Sequence, residues 1–219
     1  MPFVGATKDG TENTHFGYIF GASDSAYNEE SVPESLKKVV ITGGMTINSS
    51  AFEGCTNITS VIVGSGVKTI ENYAFDVCVG LTSVIIKNGV TKINSYAFYG
   101  CTALTSITMP SSVTTIGEHA FDGCASLESV IIPSGVMLIK AGVFNECIKL
   151  TSVVFEKPYF WKIIKQEGSI VDGLDDPEKN ATKLLDDYIS STFKLLTDPA
   201  DWPEFWPENI QLQYNYWYY

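Results

Sequence analysis

Apolar and polar positions repeat along residues 36–155 with a period of 23 residues, and the pattern changes character halfway through each unit. Residues 58–78 run ITSVIVGSGVKTIENYAFDVC, 81–101 LTSVIIKNGVTKINSYAFYGC, 104–124 LTSITMPSSVTTIGEHAFDGC and 127–147 LESVIIPSGVMLIKAGVFNEC. An earlier unit, LKKVVITGGMTINSSAFEGC from Leu36 to Cys55, is one residue shorter between its strand and Ile47, and a final half-unit, LTSVVF, ends at Phe155. The opening L-x-x-V-x-I alternates, so Val84 and Ile86 face one way while Ser83 and Ile85 face the other. Its β-branched residues suit a half-buried pleated surface, and six such strands are expected. Gly66, Gly89 and Gly135, or Pro110 and Pro133, then mark a turn. A second apolar pair, such as Val90 with Ile93, leads to Ala97-Phe98, expected in a helical turn. Self-similarity at this period predicts a solenoid whose units stack only on their neighbours. Six parallel strands at ~4.8 Å spacing give a sheet roughly 29 Å long.

The unit LTSVTIPxxVTxIGxYAFxGC resembles the BspA-like leucine-rich repeats of bacterial surface proteins. The opening GATKDGTENTHFGYIFGA, followed by VPESLKKVVITGG, is similar to the segment that precedes such repeats in large members of that group. The resemblance implies a right-handed leucine-rich-repeat coil with a parallel β-sheet on one face. It implies an extracellular or cell-surface location and a role in adhesion or protein recognition, with a host extracellular or surface protein among the partners. It carries over no enzymatic activity, catalytic residue or cofactor. Residues 1–35 are then an N-terminal cap, 36–155 the solenoid and 156–219 a C-terminal cap.

Both ends of an open solenoid need covering. Phe16, Tyr18, Ile19 and Phe20 form the apolar cluster of the N-terminal cap, and Ser31-Val32-Pro33 turns into the first coil. Beyond the repeats, Phe160, Trp161, Ile163 and Ile164 are placed to close the last coil. Asp176-Pro177 is a helix start, with aspartate at the N-cap and proline at the first helical position. Ala181, Leu184, Leu185, Tyr188, Ile189 and Phe193 at helical spacing extend that helix over about 177–196. The tail DWPEFWPENIQLQYNYWYY carries three tryptophans, four tyrosines and a phenylalanine. Trp202, Trp206 and Trp217 either pack under the cap or stack on the sugar rings of a glycan.

Charge excludes some partners. The chain has 14 lysines, no arginine and a net charge of −11. The solenoid is neutral, with seven acids and seven lysines, so the excess lies at the ends. Such a chain lacks the clustered cations that nucleic acid or an anionic membrane requires, and no apolar stretch is long enough to span a bilayer. MPFVGATKDG has neither the basic nor the apolar region of a signal peptide. On the resemblance, the chain is expected to be a mature fragment with Met1 an added start.

Chemistry is sparse. Cys55, Cys78, Cys101, Cys124 and Cys147 recur once per unit, without the close C-x-x-C pairing of a structural zinc site. Equivalent parallel side chains point the same way, so core packing is expected rather than disulfides or metal binding. His15 and His119 are the only histidines, and His119 occupies the position of Tyr73 and Tyr96. Neither stands near a marked nucleophile, and no carboxylate pair is singled out, so no enzyme is expected. Asp172, Asp175, Asp176 and Glu178 lack the alternation of a calcium loop. What remains is a surface. On the outward strand face Ile62, Ile85, Thr108, Ile131 and Val154 share one position, beside a serine row that includes Ser83, Ser106 and Ser129. Contiguous exposed apolar side chains mark interaction sites, so this face is either a protein-binding surface or is covered by the C-terminal segment; a carbohydrate-binding aromatic tail and a passive structural spacer are the alternative readings.

Overall fold

The computed structural model describes residues 28–156 and three later strands. A short helix α1 (Asn28–Ser31) leads into coils that each carry a longer strand and then a two-residue strand. These are β1 (Lys38–Ile41) and β2 (Thr46–Ile47), β3 (Ser60–Val63) and β4 (Thr69–Ile70), β5 (Ser83–Ile86) and β6 (Lys92–Ile93), β7 (Ser106–Thr108) and β8 (Thr115–Ile116), and β9 (Ser129–Ile132) and β10 (Leu138–Ile139). The half-unit supplies β11 (Ser152–Phe155), and β12 (Trp161–Ile164), β13 (Ile170–Leu174) and β14 (Thr192–Leu195) follow.

All six expected strands form, and they pair in parallel. Ser83 lies opposite Ser60 and Ile85 opposite Ile62, a step of one full period. Lys38 lies opposite Ser60, so the short first unit shifts that step by one residue without breaking the pairing. Thr59, Thr82, Thr105 and Thr151 sit just before the strands, and each hydroxyl donates to a backbone carbonyl of the preceding coil. Glu128 stands at that position in the fifth unit and has no such hydroxyl. Pro133 follows β9 where Gly64, Lys87 and Glu156 each donate an N–H to the coil before, a bond proline cannot make. The strand sheet divides at this joint into β1-β3-β5-β7 and β9-β11.

The short strands form a second sheet that the sequence did not announce, because two residues carry no periodic signal. It runs unbroken from β2 to β10 and continues through β14, β12 and β13, which pair antiparallel. The helix expected over about 177–196 is corrected here in part. Thr192–Leu195 are strand β14, with Phe193 opposite Ile139 and Lys194 opposite Leu138. The edge of β10 offers unpaired backbone groups, and the T-F-K-L segment has the β-branched and aromatic residues that pair there. The remainder of that helix, the tail, and residues 1–27 lie outside the described residues. Residues Trp161–Ile164, expected with Phe160 to close the last coil, form strand β12, which pairs with β14 and β13 while β14 is the strand that pairs with β10; Phe160 lies outside the described residues.

The second half of each coil is not helical. Ser50, Tyr73, Tyr96, His119 and Gly142 have positive φ, and so do Gly54, Val77, Gly100, Gly123 and Glu146 four residues later. A left-handed residue at every fourth position stops a helix from propagating. The chain makes tandem turns instead, with i to i−3 bonds such as Asp76 N–H to Tyr73 C=O (3.0 Å). Between them every second N–H points along the solenoid axis: Phe52 donates to Ala74, Phe75 to Ala97, Phe98 to Ala120 and Phe121 to Val143.

The core is a set of ladders. Phe52, Phe75, Phe98, Phe121 and Phe144 stack in one column with ring centroids 4.9, 5.0, 5.3 and 5.9 Å apart. The five cysteines are free and buried beside it. The thiols of Cys78, Cys101, Cys124 and Cys147 donate to the carbonyls of Phe52, Phe75, Phe98 and Phe121 at 3.0–3.3 Å. At the N-terminal end Val32 is buried against the first coil.

Candidate functional site

The outward face of the strand sheet is set by the alternation itself. Val61, Val63, Val84, Ile86, Val130 and Ile132 turn inward and are buried, which leaves the intervening positions outside. Ile85, Ile131 and Val154 are 38%, 56% and 51% exposed. Thr108 is exposed and Ile62 is half-buried. Val40, 52% exposed, extends the stripe by one coil. The sequence pattern conceals it because the shorter first unit moves it off the 23-residue register. Beside the stripe, Ser106, Ser129 and Ser152 are exposed and Ser60 and Ser83 half-buried. The two hydroxyl rows differ in role: the threonines bond the preceding coil, whereas the serines present their hydroxyls to solvent along the aliphatic row.

The opposite side of the coil, built from the tandem turns, carries a feature that sequence reasoning missed. Tyr73, Tyr96 and His119 stack with centroids 4.9 and 5.1 Å apart and planes within 10°. Tyr99 meets Tyr96 edge-on at 5.8 Å. Their common left-handed backbone throws all three rings outward in register. The signal was present as a repeat position filled by Tyr, Tyr and His. His119 Nδ1 lies 2.8 Å from Asp122 Oδ2, and Asp122 Oδ1 accepts from Asn145 Nδ2 at 3.1 Å. This His–Asp pair is structural: one imidazole face lies on Tyr96, and the other covers Gly142, where a Cβ would collide with the ring.

Three residues on from the repeat position of the tyrosines, Glu53 and Asp76 occupy adjacent coils. Asp76 Oδ1 is shielded from solvent and has no hydrogen-bond partner. Burial, and secondarily the Glu53 carboxylate, push the Asp76 carboxyl up to about 6 from an ordinary 3.8. Tyr96 is held above its usual value, first by burial and then by the Glu118 carboxylate.

The cysteines offer no nucleophile. Burial pushes Cys55 and Cys147 up to about 12 and the three inner thiols well above their ordinary value, so the reactive thiolate is scarce. Among the described residues, no three His, Cys, Asp or Glu side chains come together as a metal site, and no helix is long and apolar enough to cross a membrane. Trp202, Trp206 and Trp217 lie outside the described residues, as do Asp175, Asp176 and Glu178; Asp172 falls in β13.

Comparison with known proteins agrees with this geometry. A family model described as the BspA type leucine rich repeat region matches residues 34–165 in six copies. A T. pallidum leucine-rich repeat protein of known structure is 31% identical, with 56% of this chain and 60% of that one covered at a TM-score of 0.50. A leucine-rich repeat protein from Bacteroides ovatus is 32% identical, with 54% of this chain and 33% of that one covered at a TM-score of 0.51. A leucine-rich cell surface protein from Faecalibacterium prausnitzii is 25% identical over 61% of this chain, at a TM-score of 0.41. The chain thus spans 60% and 33% of the length of the first two. No curated protein matches it.

Proposed function

The chain belongs to the BspA-type leucine-rich repeat family, and on that premise we propose that it is a protein-binding module of a bacterial surface or secreted protein, with its contact on the outward strand face. Proteins of this family mediate protein interactions and are typically non-enzymatic, which agrees with the thiols locked in the core. The observation that supports the reading is the aliphatic stripe Val40, Ile62, Ile85, Ile131 and Val154, four members of which are exposed among the described residues. Apolar side chains left outside at the cost of water contact, in one line and beside free hydroxyls, supply both burial energy and polar registration to a partner. The partner is a protein laid along the solenoid axis, and host extracellular or surface proteins are the first class to try.

The test is a binding screen of the immobilised chain against extracellular and surface proteins and a glycan panel, with Ile85→Lys/Ile131→Lys alongside. A protein ligand lost in that variant, with an unchanged melting temperature, is the expected result. A ligand bound equally by both forms would remove the strand face from consideration. A glycan retained by the variant would move the contact to Trp202, Trp206 and Trp217.

A further inference from the structure

The strand face changes sign along the solenoid. The strand segments of the first four coils, residues 36–42, 58–64, 81–87 and 104–110, hold Lys37, Lys38 and Lys87 and no acid. Those of the last two, 127–133 and 150–156, hold Glu128 and Glu156 and no lysine. The change falls at the joint where the strand sheet divides into β1-β3-β5-β7 and β9-β11, and beside it Thr108 interrupts the aliphatic stripe. On the first side of the joint the register sets Val40 opposite Ile62 and Ile62 opposite Ile85. Alternation turns Lys38, two residues before Val40, and Lys87, two residues after Ile85, to the same outward face. Lys87 keeps that alternation because its N–H still bonds the Val63 carbonyl of the coil before. All three lysines are exposed, and none is ion-paired among the described residues. Glu34, the acid that most nearly precedes them, stands ahead of the first strand segment and forms no ion pair with them.

We infer that the cationic half of the strand face, built on β1, β3 and β5, takes an acidic amphipathic helix of a partner protein. The inference rests on the strand-face reading above and adds to it the half that is used and the charge of its partner. A row of apolar side chains with lysines ahead of it and beyond it complements a helix whose apolar ridge is flanked by carboxylates. The aliphatic contact supplies burial, and the lysines select the sign of the partner. Length agrees with this occupant. Two strand steps carry the stripe ~10 Å from Val40 to Ile85, and seven residues of helix rise ~10.5 Å. Successive side chains on one face of a helix laid along the solenoid axis therefore meet Val40, Ile62 and Ile85 in turn. A bare polyanion would leave the aliphatic row uncovered, and a basic helix would bring like charges onto the three lysines. The net charge of −11 belongs to the whole chain. Charges farther away than a Debye length of ~8–10 Å are largely screened, so the local lysines decide which partner is held.

The experiment titrates two labelled helical peptides into the whole chain at physiological salt. Both carry the same leucine ridge, one with glutamates and the other with lysines at the remaining positions. The wild type is expected to bind the glutamate peptide about tenfold or more tighter than the lysine peptide. Lys37→Gln/Lys38→Gln/Lys87→Gln should weaken glutamate-peptide binding about tenfold, from three lost ion pairs. Lys68→Gln/Lys92→Gln/Lys140→Gln removes equal charge from exposed lysines beside the short strands and should stay within about twofold. Val40→Ser/Ile85→Ser should abolish binding, whereas Ile131→Ser/Val154→Ser should leave it within about twofold. Melting temperatures of the lysine variants should match the wild type, which separates loss of the site from loss of the fold. If both peptides bind alike and Val40→Ser/Ile85→Ser loses both, the strand face stands and its acidic partner is overturned. Binding that survives Val40→Ser/Ile85→Ser would remove the strand face and this inference together. Equal losses in the two lysine variants would reduce the effect to net charge and overturn the proposal. So would an unbound glutamate peptide, or self-association of the wild type that Lys37→Gln/Lys38→Gln/Lys87→Gln abolishes, which would make the Glu128 and Glu156 half of a second copy the occupant.

Discussion

Removing one ring from the phenylalanine column tests whether the solenoid is held by nearest-neighbour stacking. Phe98 is fully buried and stacks on both sides, with Phe75 at 5.0 Å and Phe121 at 5.3 Å. Phe98→Ala deletes the ring and leaves a cavity that rigid coils above and below cannot close, a cost of about 3–5 kcal/mol. It also removes two ring pairs, each worth about 0.5–1.5 kcal/mol beyond burial. Phe144 gives the internal comparison. It is 4% exposed and has one described ring neighbour, Phe121, at 5.9 Å. Phe98→Ala should therefore fall at the upper end, about 5 kcal/mol, and Phe144→Ala about 2 kcal/mol below it. Urea unfolding followed by circular dichroism reads both, with the slope checked for constancy. Equal costs for the two variants, or a Phe98→Ala cost below about 2 kcal/mol, would refute the argument that adjacent coils stabilise one another through this column.

Two further outcomes follow from the turn side. Val77 holds a φ of 52° where other coils place Gly54, Gly100 and Gly123, so Val77→Gly should stabilise the chain by about 1 kcal/mol through relief of left-handed strain, measurable as a higher melting temperature. Asp76 titrates near 6 in the folded chain against an ordinary 3.8, so the folded state holds this proton more tightly than the unfolded one. Its contribution is present in full below about pH 4 and is lost as pH rises through about 6. Half exposure and solvent screening reduce the loss to about 1 kcal/mol. Asp76→Asn should flatten that slope, and an unchanged pH profile of stability in the variant would disprove the assignment.

The long strands were legible because L-x-x-V-x-I states both their existence and their inward face, as the buried Val84 and Ile86 beside exposed Ile85 confirm. The two-residue strands were not: Thr69-Ile70 or Lys92-Ile93 is one apolar residue beside one polar, which fits any extended or turning segment. The tandem turns were masked by Ala97-Phe98, an apolar pair that suits a helix. The correcting signal was the column Gly54, Gly100 and Gly123, where glycine recurs at a left-handed position. Strand β14 was hidden for another reason. Its local sequence continues the helical spacing that runs from Ala181 to Phe193, and the demand for a strand comes from the edge of β10, distant in sequence. The aliphatic stripe was readable from the alternation, whereas the aromatic and acidic side needed the turn geometry before its residues could be seen to share a surface.

The column of N–H groups on the turn side all point the same way, from each coil to the next. Their dipoles add along the axis rather than alternate, so this wall of the solenoid is electrically polar, much as a helix is. Its first coil presents carbonyl oxygens and its last presents amide hydrogens. The two ends therefore demand opposite chemistry from whatever closes them, and the N-terminal end meets that demand with a donor: the Asn28 side-chain amide on the Glu53 carbonyl, at 2.8 Å. Inserting or deleting a whole coil changes neither demand, since every coil hands on the same set of donors that it receives. The number of coils can vary while the two closing segments remain fixed in kind and cannot be exchanged for one another.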